Sequence, residues 1–235
     1  MATDLGKINR QNLTTQVYQQ IKEAIMSGYF QPGERLPIRT LAEKMGTSIT
    51  PVREALLKLV NFGALEMKPA HPITVPVLSK EKYLENRTIR IAVEGLAAAE
   101  AAKNIKKRQL ARLSKINDEM RKAGREGRFE ESIAKNYAFH IELCRAADMP
   151  ALLEIIEILW LKIGPSLNIL RSPLPADMPK VKSHHHWQIL EALEQGDADA
   201  ARIAMEKDMI QGGAVLLAYF DLQDSNHKIQ TGDKK

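Results

Sequence analysis

Apolar residues recur every three or four positions through most of the chain, and this spacing predicts helices rather than strands. The first clear run spans residues 14–27 and is followed by Gly28 and a Pro32-Gly33 turn, which are typical helix-ending and turn residues. A longer series of such runs fills residues 79–223. The pattern therefore predicts a mainly α-helical protein.

Two short helices joined by a tight turn are predicted between residues 41 and 59. Gly46 suits the turn because a residue without Cβ takes positive φ at no steric cost. Ser48 and Thr50 can cap the second helix and, with Arg53, remain on its outer N-terminal end, which enters the major groove in a helix-turn-helix. A helical hairpin in an ordinary core is the alternative for this stretch alone. The apolar positions that pack inward are Val52, Ala55, Leu56 and Leu59.

Two short alternating runs follow, at residues 64–68 and 73–77, and a break at residues 69–72 separates them. Alternation on both sides of a turn predicts a β-hairpin, which the prolines in and after the break limit to a short or edge-type ribbon. Three helices and a hairpin make a winged helix-turn-helix. Lys68 and His71 at the hairpin tip would lie near phosphate or the minor groove.

The rear region is predicted to be an all-α helical bundle, and Ser79 is a suitable N-cap for its first helix. The predicted helices cover residues 79–104, 106–124, 128–147, 149–171, 177–195 and 197–222. We therefore expect a winged helix-turn-helix domain at residues 1–78, with residues 1–10 flexible, an all-helical domain at 79–223, and a flexible polar tail at 224–235.

The composition narrows the classes of partner. Lys and Arg number 34 against 29 Asp and Glu, so the net charge is +5 and the isoelectric point about 9.2, which favours a polyanion without requiring one. The single cysteine, Cys144, excludes an internal disulfide and fits a reducing compartment. No apolar run reaches the ~18 residues that a membrane span needs, and no signal-peptide pattern is evident, so we expect a cytoplasmic protein without a membrane partner.

Four residues of the rear region have metal-ligand chemistry. Asn136 and His140 are four positions apart and therefore lie on one helix face. His186 opens an amphipathic segment, and Asp208 lies among apolar residues, where a carboxylate is costly unless it is paired or bound to a cation. Two imidazoles with oxygen ligands suit a divalent ion such as Zn, Ni, Mn or Fe. The alternative is that the histidines are hydrogen-bonded core residues.

A specific pattern in the front region comprises Pro32-Gly33-Glu34-Arg35-Leu36, Leu41-Ala42-Glu43, Ser48, Thr50-Pro51-Val52-Arg53-Glu54-Ala55-Leu56 and Leu59. This pattern resembles the DNA-binding domain of the GntR family of bacterial transcription regulators, over roughly residues 10–78. The resemblance departs at Ile49, where family members often carry Arg, and at the wing tip, which lacks the usual glycines. It implies contacts with double-stranded operator DNA by Arg35, Arg39, Thr47, Ser48, Thr50 and Arg53, aided by Lys68 and His71.

Weaker matches run along the rear region in matching order and spacing. They are Arg90-x-x-Val93-Glu94, Asn136-x-x-Phe139-His140 and His186-x-x-Ile189-Leu190-x-Ala192-Leu193-x-x-Gly196-Asp197-x-x-Ala200-Ala201. They resemble the FCD ligand-binding domain of the FadR-like branch of the same family. The resemblance implies a metal held by Asp or Asn and three His, so Asp208 departs at the last position. It also implies that Arg90 clamps an effector carboxylate, whereas spacing alone also allows an i,i+4 surface pair with Glu94.

These observations predict a ligand-responsive regulator that binds its operator as a homodimer. It would be a repressor or an activator, of which repression is favoured. A small organic acid held in the metal-containing helical domain would control it. One alternative is a metal-dependent helical enzyme with an accessory DNA-binding domain, although no second carboxylate or tyrosine stands at a clear spacing to act as general base. The other alternative is a regulator whose helical domain only dimerises, which predicts an apolar bundle interior.

Overall fold

Three helices and a short wing form the front of the molecule in the computed structural model, which describes residues 11–69, 71–171 and 185–232, with side chains for residues 13–69, 71–171 and 185–223. The helices are α1 (Gln11–Met26), α2 (Ile38–Lys44) and α3 (Ile49–Asn61). The apolar faces predicted from the spacing pack α1 against α3. The buried residues on these faces are Val17, Ile21, Ile25, Val52, Leu56 and Leu59.

The predicted β-hairpin is reduced to a minimal pairing. Glu66 and Thr74 exchange two backbone hydrogen bonds of 2.9 Å, and Arg35 forms a second isolated bridge with Thr74. Proline has no N–H to donate to a ladder, so Pro72 and Pro76 prevent the pairing from extending. The wing is therefore shorter than a regular hairpin, and no regular strand forms within the described residues.

The rear region is a helical bundle, and α4 packs closely along α9 and α6. Gly95 of α4 lies next to the side chains of Arg202 and Glu206 on α9, and α4 also buries the small residues Ala98 and Ala101. Among the described helices, none combines the length and apolar content that a membrane crossing requires. The elements are α4 (Lys80–Asn104), α5 (Lys107–Arg125), α6 (Phe129–Ala146), α7 (Pro150–Ile163), a 3-10 segment (Gly164–Arg171), α8 (His186–Gln195), α9 (Ala198–Gly212) and α10 (Ala214–Gly232).

The helix predicted at residues 149–171 was too long. α7 ends at Ile163, and the tighter 3-10 segment takes the remainder. Pro165 contributes to this change because its ring cannot supply the backbone donor of an α-helical turn. The backbone therefore changes from α-helix to 3-10 helix after Ile163, although the spacing of apolar residues continues across this point.

The helix predicted at residues 197–222 was also wrong in its limits. It is two helices, α9 and α10, which meet at Gly213, and α10 continues to Gly232 instead of ending before residue 223. Consecutive glycines at 212 and 213 weaken helix continuity there, because glycine loses the most backbone entropy on ordering. The first part of the helix predicted at residues 177–195 lies outside the described residues, and α8 begins at His186.

The front and rear regions meet in a direct backbone contact between α1 and the 3-10 segment. A Cβ placed on Gly164 would lie 2.2 Å from the carbonyl oxygen of Ile25, so only glycine allows this approach. The Asn168 side chain donates a 2.9 Å hydrogen bond to the carbonyl oxygen of Gly28, which has a φ of +67°. The 3-10 segment is thus the element on which the C-terminal end of α1 rests.

Candidate functional sites

The N-terminal end of α3 is exposed and carries polar side chains. Ser48, Thr50 and Arg53 are all exposed, and Ser48 occupies the N-cap position that the sequence predicted. Within the described part of the chain, however, the Ser48 side chain makes no capping hydrogen bond, and the first turn holds no acidic residue. The positive end of the helix dipole is therefore left open toward an anion.

Other predicted DNA contacts surround this helix end. Arg39 is exposed on α2, and Arg35 is exposed on the segment that pairs with the wing at Thr74. At the wing tip, the backbone N–H of His71 donates to the carbonyl of Lys68 at 3.0 Å, which closes a turn and leaves both side chains exposed. The structure thus supplies cationic or polar groups from α2, from α3 and from both sides of the wing.

Thr47 differs from the other predicted DNA contacts. Its hydroxyl is buried, and among the described residues it has no hydrogen-bond partner. Its backbone N–H donates to the carbonyl of Ala42 at 3.0 Å, which stabilises the turn after α2. A direct DNA contact through the Thr47 hydroxyl would require this group to move out of the domain interior.

Three predicted metal ligands converge inside the bundle from three helices. His140 lies on α6, His186 on α8 and Asp208 on α9, and all three are buried. Asp208 Oδ2 lies 3.4 Å from Nε2 of His140 and 3.6 Å from Nε2 of His186. The possible ligand atoms of the three residues lie within 4.8 Å of one another. In a tetrahedral zinc site the ligand atoms are about 3.3–3.5 Å apart, so this spacing suits a small cation.

The ligand groups are held by neighbouring hydrogen bonds. Glu94 Oε2 lies 2.8 Å from Nδ1 of His140, and the backbone N–H of His185 donates to Oδ1 of Asp208 at 2.8 Å. A carboxylate behind a histidine fixes the ring so that its other nitrogen faces the site, as in many metal centres. The cluster therefore contains an oriented imidazole and an oriented carboxylate.

Asn136, the fourth predicted ligand, lies one helical turn before His140 on α6. Its Oδ1 atom is buried and has no hydrogen-bond partner among the described residues. Burying an amide oxygen away from water is energetically unfavourable unless a hydrogen-bond donor or a cation lies next to it. The chemistry of two imidazoles and one carboxylate, with an unpartnered amide oxygen on the helix that carries His140, therefore fits a divalent cation, despite the departure at Asp208.

The charges of the cluster are balanced by Arg90 and His140. Burial opposes the charged imidazolium of His140, but the carboxylates of Glu94 and Asp208 outweigh this and raise its pKa to about 9. Burial also disfavours the Glu94 carboxylate, yet Arg90 and His140 hold its pKa below the usual value. A positive charge is thus favoured on the His140 ring, which lies between the two carboxylates, with Glu94 at its Nδ1 and Asp208 at its Nε2.

Arg90 lies inside the bundle, so the surface-pair alternative was wrong about its location. Its Nε donates to Glu94 Oε1 at 2.6 Å, and this i,i+4 pair is almost completely buried. The guanidinium carbon also lies 3.8 Å from the ring centre of Trp160. One edge of the guanidinium is therefore already used by Glu94, which limits any effector contact to the two Nη atoms.

Aromatic rings form the walls of the cluster. Phe139 stacks on His186 with ring centres 3.9 Å apart, and Trp160 lies against His140 at 5.3 Å. Glu94 was predicted from the sequence only as the partner of Arg90. The available signal was the position of Glu94 in an apolar stretch of sequence. Like Asp208, a carboxylate buried there needs a cation or hydrogen-bond donors as partners.

Comparison with known proteins supports one family for both regions. The family described as "Bacterial regulatory proteins, gntR family" matches residues 13–75, and the "FCD domain" matches residues 86–210. The α3 end lies in the first match, whereas the buried cluster from Arg90 to Asp208 lies in the second. The two sites therefore belong to two recognised domain types.

Relatives match along most of the chain. The HTH-type transcriptional regulator McbR of Escherichia coli K12 is 36% identical over 217 residues, which cover 92% of this chain and 98% of McbR. The probable D-xylose utilization operon transcriptional repressor of Paenarthrobacter nicotinovorans is 29% identical over 199 residues, which cover 85% of this chain and 86% of that protein.

Solved structures agree with this assignment. The structure of E. coli McbR/YncC has a TM-score of 0.83 at 34% identity and covers 90% of this chain and 100% of its own. A putative GntR regulator from Rhodococcus sp. RHA1 shares the fold, with a TM-score of 0.70 at 20% identity over 87% of this chain and 97% of its own. These matches are to transcription regulators, so the enzyme alternative is wrong. The chain belongs to the GntR family of bacterial transcription regulators and carries the FCD domain that defines one of its branches.

Proposed function

We propose that this regulator is a ligand-controlled repressor that binds duplex operator DNA as a homodimer. The observation that carries the proposal is the presence of two polar sites in one chain, one exposed at the end of α3 and one buried around Asp208. A two-fold dimer matches an operator built from two inverted half-sites. Repression as the mode is supported by the names of two relatives, from P. nicotinovorans and from E. coli (RspR).

α3 would enter the major groove by its N-terminal end. Arg53 would contact a base edge, and a bidentate contact to guanine is worth about 1–3 kcal/mol of discrimination. Ser48 and Thr50, beside the open end of the helix dipole, would contact phosphate. Thr47 is left out because its hydroxyl is buried. Further contacts would come from Arg35, Arg39, Lys68 and His71.

The DNA-binding part is tested by selection from random duplexes, followed by titration of the selected operator. Arg53→Ala should weaken operator binding by about 10- to 100-fold per half-site, in line with the loss of one bidentate base contact in each half-site. Arg108 on α5 is an exposed arginine outside the front domain, so Arg108→Ala is the matched control and should bind like the wild type. A selection that yields no preferred duplex at low ionic strength would refute the proposal.

The metal-binding part concerns His140, His186 and Asp208, with Asn136 as a fourth ligand. A divalent cation bound there would supply a Lewis-acidic centre that attracts an anionic oxygen of the effector. His140 would bind it as neutral imidazole, since the Nε2 lone pair must be free of its proton. Glu94 would keep the His140 ring in its observed orientation.

The effector is proposed to be a small organic acid, such as a sugar acid, a hydroxy acid or a dicarboxylate. Arg90 would hold its carboxylate through the Nη atoms, for which the described part of the chain shows no hydrogen bond, while Nε remains on Glu94. The polar interior of the bundle argues against the alternative in which this domain only dimerises, because that alternative predicts an apolar interior.

Metal binding is tested by elemental analysis of the purified protein after dialysis against Zn, Ni, Mn or Fe salts. Asp208→Ala should lose the bound ion. Asp199→Ala should retain it, because Asp199 is an exposed carboxylate on the same helix and so serves as control. Retention of the ion by Asp208→Ala at the wild-type stoichiometry would exclude this cluster as the metal site.

Effector binding is tested by isothermal titration with a panel of such acids. Arg90→Ala leaves the Glu94 carboxylate buried without its cation, so Arg90→Lys is the second variant, which keeps the charge and removes the planar fork. Both variants should bind the effector at least 10-fold more weakly than the wild type. Equal binding by the variants and the wild type would refute the clamp.

A further inference from the structure

An exposed apolar side chain stands at the leading end of the helix proposed to enter DNA. Ile49 is the first residue of α3 and is 38% exposed. Its neighbours Ser48 and Thr50 are polar and exposed. Single exposed isoleucines are common on protein surfaces, so exposure alone says little about Ile49. Its location at the end of α3 that is proposed to enter the major groove makes it informative.

The inward face of α3 is complete without Ile49. Val52, Ala55, Leu56 and Leu59 form that face, and each is at most 1% exposed. Ile49 lies one helical turn before Arg53, so the two side chains share the outer side of the helix. The Cα–Cβ bonds of a helix tilt toward its N-terminus, which directs Ile49 ahead of the first turn.

The chemistry of the major groove restricts what such a side chain can meet. Guanine, adenine and cytosine present hydrogen-bonding groups there, whereas thymine also presents an apolar C5-methyl group. An isoleucine placed against a donor or acceptor of a base would exclude water from that polar group and offer it no hydrogen bond in return. Against a thymine methyl it would bury two apolar groups together.

We infer that Ile49 determines operator specificity by contacting the C5-methyl group of a thymine in each half-site. The inference rests on the proposed DNA-binding function and adds the base type that this position selects. Arg53, one turn later, would hydrogen-bond to a nearby base edge. The operator would therefore combine a methyl contact and a polar contact within the few base pairs covered by the first turns of α3.

The test replaces thymine by deoxyuridine, which removes only the methyl group and keeps the base pair and its O4 acceptor. In the operator selected as above, each thymine is replaced in turn, symmetrically in both half-sites, and the dissociation constants are measured. For the wild type, at least one replacement should weaken binding by about fourfold per half-site, as expected for loss of one buried methyl-sized group. For Ile49→Ala the same replacement should change binding by less than twofold.

Two further variants separate methyl contact from general damage to α3. Ile49→Val keeps a branched apolar side chain and should retain most of the uracil penalty. Leu57 is an equally exposed apolar residue two turns further along the same helix, at 37%, so Leu57→Ala should keep the full penalty. Unfolding midpoints close to that of the wild type confirm that the variants are folded.

The outcomes distinguish this inference from the proposed function. Failure to select any preferred duplex would refute the DNA-binding proposal and this inference with it. A preferred duplex in which no uracil replacement affects the wild type more than Ile49→Ala would overturn the methyl contact alone. A penalty lost in Ile49→Ala and retained in Ile49→Val and Leu57→Ala would establish it.

Discussion

Replacing Gly164 by alanine should place a methyl group inside the contact between the two domains. The new Cβ would lie 2.2 Å from the carbonyl oxygen of Ile25 and 2.7 Å from Cα of Met26. Carbon contacts are most favourable at about 3.5–4.0 Å, so α1 and the 3-10 segment must separate by about 1 Å. Both opposing atoms belong to the backbone of α1 and have no rotamer by which to move aside.

The size of the effect follows from two opposing contributions. Overpacking of this kind costs about 1–3 kcal/mol. Gly164 has φ of −46° and ψ of −49°, a helical conformation in which alanine is favoured over glycine by about 0.5–1 kcal/mol. We therefore expect Gly164→Ala to lower the free energy of unfolding by about 1–2 kcal/mol, which lowers the melting temperature by roughly 2–8 °C for a chain of this size.

Gly212→Ala is the matched control, because Gly212 is also helical and a Cβ there would meet nothing within 4 Å. It should leave the melting temperature unchanged or raise it, because alanine gains helix propensity without a clash. Thermal unfolding followed by circular dichroism measures both variants. Hydrogen exchange of the Gly28 and Tyr29 amides, which donate to the carbonyls of Ile25 and Ala24, reports whether the end of α1 at this contact is loosened. Equal melting temperatures for wild type and Gly164→Ala, with unchanged exchange at Gly28, would refute the reasoning.

Three further predictions concern stability. Glu157→Gln removes the negative charge that lies 2.6 Å from the buried ammonium of Lys22 and should lower the free energy of unfolding by about 1–3 kcal/mol, less than for a fully buried pair because the Glu157 side chain is 22% exposed. Lys22→Met, which removes the buried charge itself, should lower it less. Equal losses in urea unfolding would contradict this. Leu56→Ala should lower the free energy of unfolding by about 2–5 kcal/mol because Leu56 is fully buried, whereas Leu57→Ala on the same helix should change it by at most about 0.5 kcal/mol. Similar urea midpoints for the two variants would show that burial is not the cause. A divalent ion at a free concentration of 100 times its dissociation constant should raise the free energy of unfolding by about 2.7 kcal/mol. If the same increase is measured for Asp208→Ala, the ion binds elsewhere.

Local features of this protein follow from the sequence because they depend on neighbours along the chain. The three-to-four spacing predicted the helices of both regions, and the turn after α2 was predicted from Gly46, whose φ is +61°. Asn136 and His140 were placed on one helix face by their spacing alone. Pro72 and Pro76 indicated that the wing would be short, since neither supplies a backbone donor.

Other features were decided by packing between distant segments. Glu94 and His140 are 46 positions apart, and their contact depends on how α4 lies against α6. The apolar pattern continues past Ile163, so the end of α7 could not be located from the spacing of residues. Spacing along a chain specifies which side of a helix is apolar, but the identity of the helix that covers that side depends on shape and volume across the whole core. The convergence of His140, His186 and Asp208 was therefore expected from resemblance to a family, whereas their distances and the fit of Gly164 against α1 required the tertiary structure.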